Sequence, residues 1–409
     1  MLYPGHTKYN EGPLQACDHY HRYREDVALM KKMGLKSYRF SVSWSRILPD
    51  GTEKINQKGI EFYQSLVREL KAAGIEPMVT LYHWDLPYAL YLQGGWKNPQ
   101  IPDWFAAYTK IVVEALSDQV QYWMTLNEPQ CFVGIGHLQG RHAPFLDEPA
   151  SLRPVTRHVL LAHAKAVQTI RQYAKLPPKV GYAPTGPVFS PCGDESEAAI
   201  AEAYRRTMEV EGCYSISWWC DPVLLGRVPE PMAKALGADV FTPQELELLH
   251  QPLDYLGFNV YNACAAQQPG SEYTANTWQG SPRTAMEWPI TPDCIYWAIR
   301  FLNQRYGRPI LITENGMANT DFVMLDGKVH DPQRIDYVHR HLLAARRALQ
   351  EGYPLIGYTY WSIMDNYEWA EGYSKRFGLI YVDYRTMERI PKDSAAWYAH
   401  VIATNGSEL

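Results

Sequence analysis

Nowhere in the 409 residues does an uncharged apolar run reach the roughly 18 residues of a membrane span. The N-terminus also lacks the charged-then-apolar pattern of a secretory leader. Positive charge is in short supply: 39 Lys and Arg stand against 44 Asp and Glu, a net charge of −5. That balance argues against nucleic acid or an anionic membrane as partner. Cysteine is sparse, with seven residues scattered at 17, 131, 192, 213, 220, 264 and 294 and no C-x-x-C pair. An odd, scattered set suits reduced thiols in a cytoplasm better than a disulfide framework. Gly-rich phosphate turns of the G-x-G-x-x-G or G-x-x-x-x-G-K-[ST] kind are absent, which disfavours an open nucleotide-binding sheet. No Pro/Ser-rich linker divides the chain, so residues 1–409 read as a single domain.

Aromatic residues, by contrast, are abundant, at 13% of the chain with 13 Trp and 29 Tyr. Flat rings stack on the C–H faces of sugars, although a large aromatic core needs them equally. Short β-prone runs alternate with amphipathic stretches along the whole chain. Strands are expected near residues 37, 77, 121, 179, 254, 309 and 355, among them Ser37–Trp44, Asp254–Tyr261 and Leu355–Trp361. Helices are expected between them, such as Asn56–Ala73 with Ile60, Tyr63, Leu66, Val67 and Leu70 on one side and Gly74 closing it. Repeated strand–helix units of this size imply parallel pairing with helical crossovers. The first fifteen residues are polar, without period, and read as loop.

One stretch organises the rest. Ile310-Leu311-Ile312 runs straight into Thr313-Glu314-Asn315-Gly316, a buried-type strand delivering a carboxylate to its C-terminal end. Upstream, Gln121-Tyr122-Trp123-Met124-Thr125-Leu126 ends likewise in Asn127-Glu128-Pro129. Two carboxylates on two strand ends are what hydrolysis of a glycosidic bond requires. The wider cluster of polar and aromatic residues at several strand ends matches the catalytic face of a (β/α)8 TIM-type barrel.

The chain resembles the family 1 glycoside hydrolases, β-glucosidase-type retaining enzymes. Five motifs carry the resemblance in the family's order: Tyr-Arg-Phe-Ser (38–41), Tyr-His-Trp-Asp-Leu-Pro (82–87), Thr-Leu-Asn-Glu-Pro (125–129), Ile-Thr-Glu-Asn-Gly (312–316) and Tyr-Trp-Ser-Ile-Met-Asp-Asn-Tyr-Glu-Trp (360–369). The resemblance implies a β-glycoside substrate, glucosides first with galactosides and fucosides as further glycones. It implies Glu314 as nucleophile and Glu128 as general acid and base, with carboxyls about 5–5.5 Å apart. Arg39 and Tyr261 match residues that hydrogen-bond the nucleophile in the family. His83, Trp84, Asn127, Glu368 and Trp369 match sugar-contacting positions, Trp361 the platform under the ring, and Trp288 the aglycone side. An ionised Glu368 would accept from the O4 and O6 hydroxyls and repel a 6-phosphate. No cofactor and no metal is expected. The pairs His19/His21 and His339/His341 lie two apart on helices, so they face different sides and read as surface residues. Self-association into a homo-oligomer is left open.

One departure stands out. The family opens with a strand ending in a Gln-Ile-Glu-Gly-like segment whose glutamine binds sugar hydroxyls, and neither appears here. Seven strands rather than eight are recognisable, so an open, water-accessible seam beside the site and weak glucosidase activity are expected. A sugar-binding or weakly active homologue is therefore the competing reading. A metal-dependent barrel hydrolase lacks the clustered His and Asp it would need at strand ends.

Overall fold

The structure, a computed structural model, describes residues 4–191, 195–266 and 280–409; Cys192 and residues 1–3 of the N-terminal segment lie outside them. Seven parallel strands follow one another around a barrel, each at a position the sequence pattern marks. They are β1 (Ser37–Ser41), β2 (Glu76–Tyr82), β3 (Tyr122–Asn127), β4 (Lys179–Ala183), β5 (Leu256–Asn259), β6 (Ile310–Asn315) and β7 (Leu355–Tyr360). Ladder hydrogen bonds join β1 through β4 and, separately, β5 through β7. The two arcs meet where Asp254 N donates to Val180 O (2.9 Å) and Asn259 N to Pro184 O (3.0 Å). The Asp254 carboxylate adds a bond from Val180 N at 2.6 Å.

Helices cover the outside of this arc because their apolar stripes have nowhere else to go. Gln57–Ala72 buries the five residues expected of it, and its end is closed by Gly74 at φ 76°, with Ile75 N bonding back to Leu70 O. Inside the barrel a small cluster of Met78, Met124, Ala183, Tyr255 and Leu311 forms a floor. Above it stand the side chains of the strand ends, as in other parallel barrels.

Two expected strands are shorter than their sequence runs. β1 stops at Ser41, and Trp44 instead opens the short helix Trp44–Ile47. Trp44 is fully buried, stacks on Tyr108 and donates to Gly51 O (3.0 Å), so its packing pulls the chain out of the strand. β5 ends at Asn259, where its pairing with β6 slips in register, a bulge of the kind that re-aims side chains. Elements of one or two turns went unseen in the pattern: the helices Ile216–Leu224, Glu230–Leu236 and Pro243–Leu249, the parallel pair 188–191 with 263–266, and the hairpin 380–383 with 388–391. The first of these helices even carries Pro222 inside it. Two histidines also depart from the surface reading. His341 is fully buried and stacks on Tyr337, and His19 holds the buried Asp26 at 2.7 Å. Residues two apart on a helix face roughly opposite ways, so one of each pair turns inward.

Between β7 and β1 the arc stays open. No backbone hydrogen bond joins the two among the described residues, and a cavity of about 420 Å³ lies there, bordered by Tyr38, Ser41, Tyr358 and Tyr360. Residues 4–15 do not fill it; they form turns and one short 3-10 segment, Lys8–Asn10. The exposure of β7 records the gap. β6 is buried along its whole length, whereas in β7 no residue is, and Ile356 is 53% exposed. Ile356→Lys should therefore shift the unfolding free energy by no more than about 0.5 kcal/mol. Ile312→Ala, on buried β6, should cost about 2–5 kcal/mol. Equal losses in denaturant titrations of the two variants would show that β7 is covered in solution.

Candidate active site

β3 and β6 deliver their carboxylates by the same device. Each strand slips in register against a neighbour before it reaches its glutamate, β3 against β4 after Met124 and β6 against β5 and β7 after Ile312. The β3–β4 pairing slips between Met124 and Asn127, after which Glu128 adopts φ 42° while its N–H still donates to Ala183 O (2.8 Å). A left-handed glutamate is uncommon, and here the surrounding ladder enforces it. On β6, Glu314 keeps its strand conformation and Gly316 follows. A Cβ at Gly316 would lie 1.9 Å from the Trp361 carbonyl, so glycine is needed there for close approach rather than for a turn.

Arg39, from β1, reaches across the barrel to both strand ends. Its Nη1 donates to Glu314 Oε1 (2.6 Å) and its Nη2 to Asn127 Oδ1 (2.5 Å). Tyr261 donates its hydroxyl to the other Glu314 oxygen at 2.7 Å. Burial and the nearby carboxylates push the Tyr261 phenol well above its ordinary range, so it remains a donor. Both oxygens of Glu314 thus have fixed partners, and the Arg39 and Glu314 side chains are each only 6% exposed.

Asn127 is oriented by the same groups. Arg39 and Asn259 Nδ2 (3.0 Å) both require its oxygen, which leaves its Nδ2 to face His83 Nε2 at 3.2 Å. Burial first, then the charge of Arg39, lowers the His83 pKa to about 3, so the ring is neutral. Trp84 donates its indole N–H to Asn127 O (3.0 Å) and lies 4.8 Å from Trp369. His83 lies 5.8 Å from the ring of Trp361 and 5.9 Å from that of Trp369. At the rim, the Trp288 ring is held between Tyr261 at 5.1 Å and Phe377 at 6.2 Å.

The two remaining acids are set apart from Glu314 by their surroundings. Burial, and after it the charge of Glu314, raises the Glu128 pKa to about 7, against hydrogen bonds from Asn259 and Cys131 and the charge of Arg39. Burial and the same two carboxylates raise Glu368 to about 8, partly offset by a hydrogen bond from Trp361. Near neutral pH the substrate-free site therefore holds one ion pair, Arg39 with Glu314, beside a mostly protonated Glu368 and a Glu128 close to its midpoint. A protonated Glu368 does not repel a phosphate, so the expected exclusion of 6-phosphoglycosides holds only for its ionised form.

All eleven residues singled out in the sequence fall on this one face of the barrel or its rim. Asn259, Thr313 and Cys131 were missed. Asn259 bridges Asn127 and Glu128 (2.8 Å to Glu128 Oε1), while its own oxygen accepts from Thr313 Oγ1 at 2.6 Å. The signal was available for Asn259, which ends an apolar run just as Asn127 does. Cys131 carried none, because the turn closed by Cys131 N and Glu128 O is what brings its thiol to the Glu128 carboxyl.

Comparison with known proteins identifies the family. The model of glycosyl hydrolase family 1 matches residues 3–407. The chain is 42% identical to β-glucosidase A of Thermotoga maritima over 99% of its own length and 91% of that protein's. It is 37% identical to a bifunctional β-D-glucosidase/β-D-fucosidase of Bifidobacterium breve, covering 98% and 91% of the two chains. Among solved structures, the T. maritima β-glucosidase in complex with glucoimidazole superposes with a TM-score of 0.90 at 40% identity, over 99% of this chain and 91% of that one. Family match, full-length relatives and superposed barrels converge: the chain belongs to glycosyl hydrolase family 1.

Proposed function

We propose that this chain is a retaining β-glycosidase that hydrolyses terminal β-D-glucosides, with Glu314 as nucleophile and Glu128 as acid and base. The observation that carries the reading is the pairing of unlike carboxyls: Glu314 ion-paired to Arg39, and Glu128 raised to about 7 by burial and by the charge of Glu314. Environments that push two carboxyls apart assign their roles. Glu314 attacks the anomeric carbon while Glu128 gives its proton to the departing oxygen, leaving a glycosyl ester on Glu314. Esterification removes the negative charge that holds the Glu128 proton. Glu128 then takes a proton from the water that attacks the same carbon, and the ester is released.

The sugar is read by the groups around this pair. Asn127 and His83 offer donors and acceptors to hydroxyls, Trp361 a face for the ring, and Glu368 with Trp369 the side remote from the scissile bond. Trp84 supports Trp369, and Trp288 borders the leaving group. Galactosides and fucosides are further candidate glycones, the fucosides in line with the dual specificity named for the B. breve relative. Residues 1–409 form one catalytic unit. A cytoplasmic setting is supported by the cysteines, since all six described ones are free thiols; among the described residues no helix is long and apolar enough to cross a membrane. The net charge of −5 disfavours a nucleic-acid partner.

The second reading, a sugar-binding or weakly active homologue, is favoured by one observation, the open seam that reaches Arg39 and His83. A kcat/KM on a chromogenic β-glucoside above about 10⁴ M⁻¹s⁻¹ would eliminate it.

Glu314→Gln should abolish turnover of every glucoside. Glu128→Ala should slow an unactivated alkyl glucoside by about 10²–10⁴-fold while sparing formation of the glycosyl-enzyme from substrates with good leaving groups. Equal losses on both substrate types would contradict the assignment of Glu128. A pH series tests the same residue through stability. The Glu128 pKa is raised on folding from 4.5 to about 7, so the native state holds a proton that the unfolded state has lost. Stability is therefore highest below pH 4.5 and falls as pH rises toward 7. Glu128→Gln, neutral at every pH, should be more stable than the wild type at pH 8, and this advantage should shrink as the pH is lowered to 5. Parallel melting temperatures across that range would refute the shift.

A further inference from the structure

The polar segment ahead of the first helix makes its contacts at the sugar-facing loop. Tyr373 N donates to Glu11 Oε2 at 2.7 Å, and the Tyr373 hydroxyl donates to Gly12 O (2.8 Å) and accepts from Ala16 N (3.1 Å). Tyr367 reaches the Glu11 carbonyl with its hydroxyl at 3.4 Å. The segment thus holds both ends of the loop that carries Glu368 and Trp369.

That loop needs holding. Trp369 sits at φ 44°, a left-handed value that a bulky side chain adopts only when its surroundings enforce it. Inside the loop, Glu368 N donates to Gly372 O (2.7 Å) and Gly372 N to Trp369 O (3.1 Å). Gly372 closes the turn at φ 60°, ψ −131°, and a Cβ there would lie 2.2 Å from Glu11 Oε2. The carboxylate of Glu11 therefore occupies the space the glycine leaves and takes the next N–H along the chain. From inside the barrel, only ring contacts with Trp84 and His83 brace Trp369 among the contacts described.

We infer that Glu11 is a positioning residue for sugar recognition: it fixes the 368–373 loop so that Glu368 and Trp369 meet the hydroxyls farthest from the scissile bond. The inference rests on the reading of Glu368 as the group facing O4 and O6. It does not place Glu11 on the substrate, and it asks nothing of the residue in the chemical step. Loss of Glu11 should weaken binding of the sugar's far side and leave the carboxyl pair intact. Its kinetic mark is a change in KM and in selectivity rather than in kcat.

The test compares 4-nitrophenyl β-D-glucoside with its 6-deoxy analogue, which lacks the O6 hydroxyl. Glu11→Ala should raise KM for the glucoside about tenfold, the loss expected of one hydrogen bond to a charged acceptor. The glucoside preference over the 6-deoxy analogue should shrink with it, while kcat stays within about threefold. Glu11→Gln, whose amide oxygen can accept the same N–H, should recover most of the preference. Calorimetric binding of glucose and 6-deoxyglucose reads the preference without turnover. If the wild type binds both but hydrolyses neither glycoside, the catalytic reading fails while the binding preference still tests the loop. Equal weakening for both sugars in Glu11→Ala, or a preference that stays at the wild-type value, overturns the inference. So does a Glu11→Gln variant no better than Glu11→Ala.

Discussion

The contact on which most of this molecule turns is the ion pair between Arg39 and Glu314. It joins the first strand to the sixth across the barrel, with the guanidinium also gripping Asn127 and lying 3.4 Å from the Thr313 carbonyl. A guanidinium has a fixed fork of donors, so holding two acceptors at once fixes both in space. From Asn127 the order spreads to His83 and Asn259, and from Asn259 to Glu128 and Thr313. The two carboxyls proposed to carry the chemistry are therefore placed by one hydrogen-bonded lattice rather than by their strands alone. Such a lattice is valuable only when complete, because an unpaired buried polar group costs about 1–3 kcal/mol.

A second lattice of charge supports the loops beyond the strands. Asp321, Asp331 and Asp365 face Arg334, Arg376 and Lys392, and five of these six side chains are fully buried. Arg334 ties the stretch after β6 to the helix Pro332–Gln350 through Met317 O and Asp331, and Lys392 bridges Asp321 to Asp365 at 2.6 and 2.8 Å. Asp365 lies between Trp361 and Glu368 in sequence, so the anchored residue sits within the loop proposed to read the sugar. Buried charges of this kind add little net stability, yet removing one partner costs about 3–5 kcal/mol. What they contribute is a single arrangement of the loops around the site.

How much of this the sequence discloses depends on the range of the interaction. Strand positions were legible because each run of apolar residues is local, and so were Glu128 and Glu314, which end such runs. Arg39 and Tyr261 were legible only through resemblance, since nothing in Tyr-Arg-Phe-Ser alone says that the arginine crosses a barrel. Asn259 shared the strand-end signal and could have been found. Cys131 could not, because its thiol meets Glu128 through a turn whose geometry is set by the left-handed φ of 42° at Glu128. Trp44 misled the strand boundary for a related reason: a buried indole with a distant partner, Tyr108, outweighed the local alternation. The short helices between 216 and 249 are too brief for periodicity to separate from loop.

The seam gives the central ion pair a second task. Among the described residues β1 has a ladder partner only in β2, and β7 only in β6, so the two strands border a cavity of about 420 Å³ without pairing to each other. Glu128 and Glu314 stand on β3 and β6, each paired on both sides, whereas Arg39 and Trp361 stand at the borders of the gap. On the proposed assignment, chemistry is carried by the well-held strands and sugar contact partly by the poorly held ones. What keeps Arg39 in place is its grip on Glu314 and Asn127, which spans the interior from the edge strand to strands on either side of it. The carboxylate proposed to attack the sugar is in this way also the anchor of the strand beside the opening. In the proposed mechanism, esterification of Glu314 turns that anchor from a charged acceptor into a neutral one, and Asn127 holds more of the load. Arg39 keeps its own charge in that state, so its bond to the ester oxygen stays charge-assisted while the attraction between two opposite charges is lost.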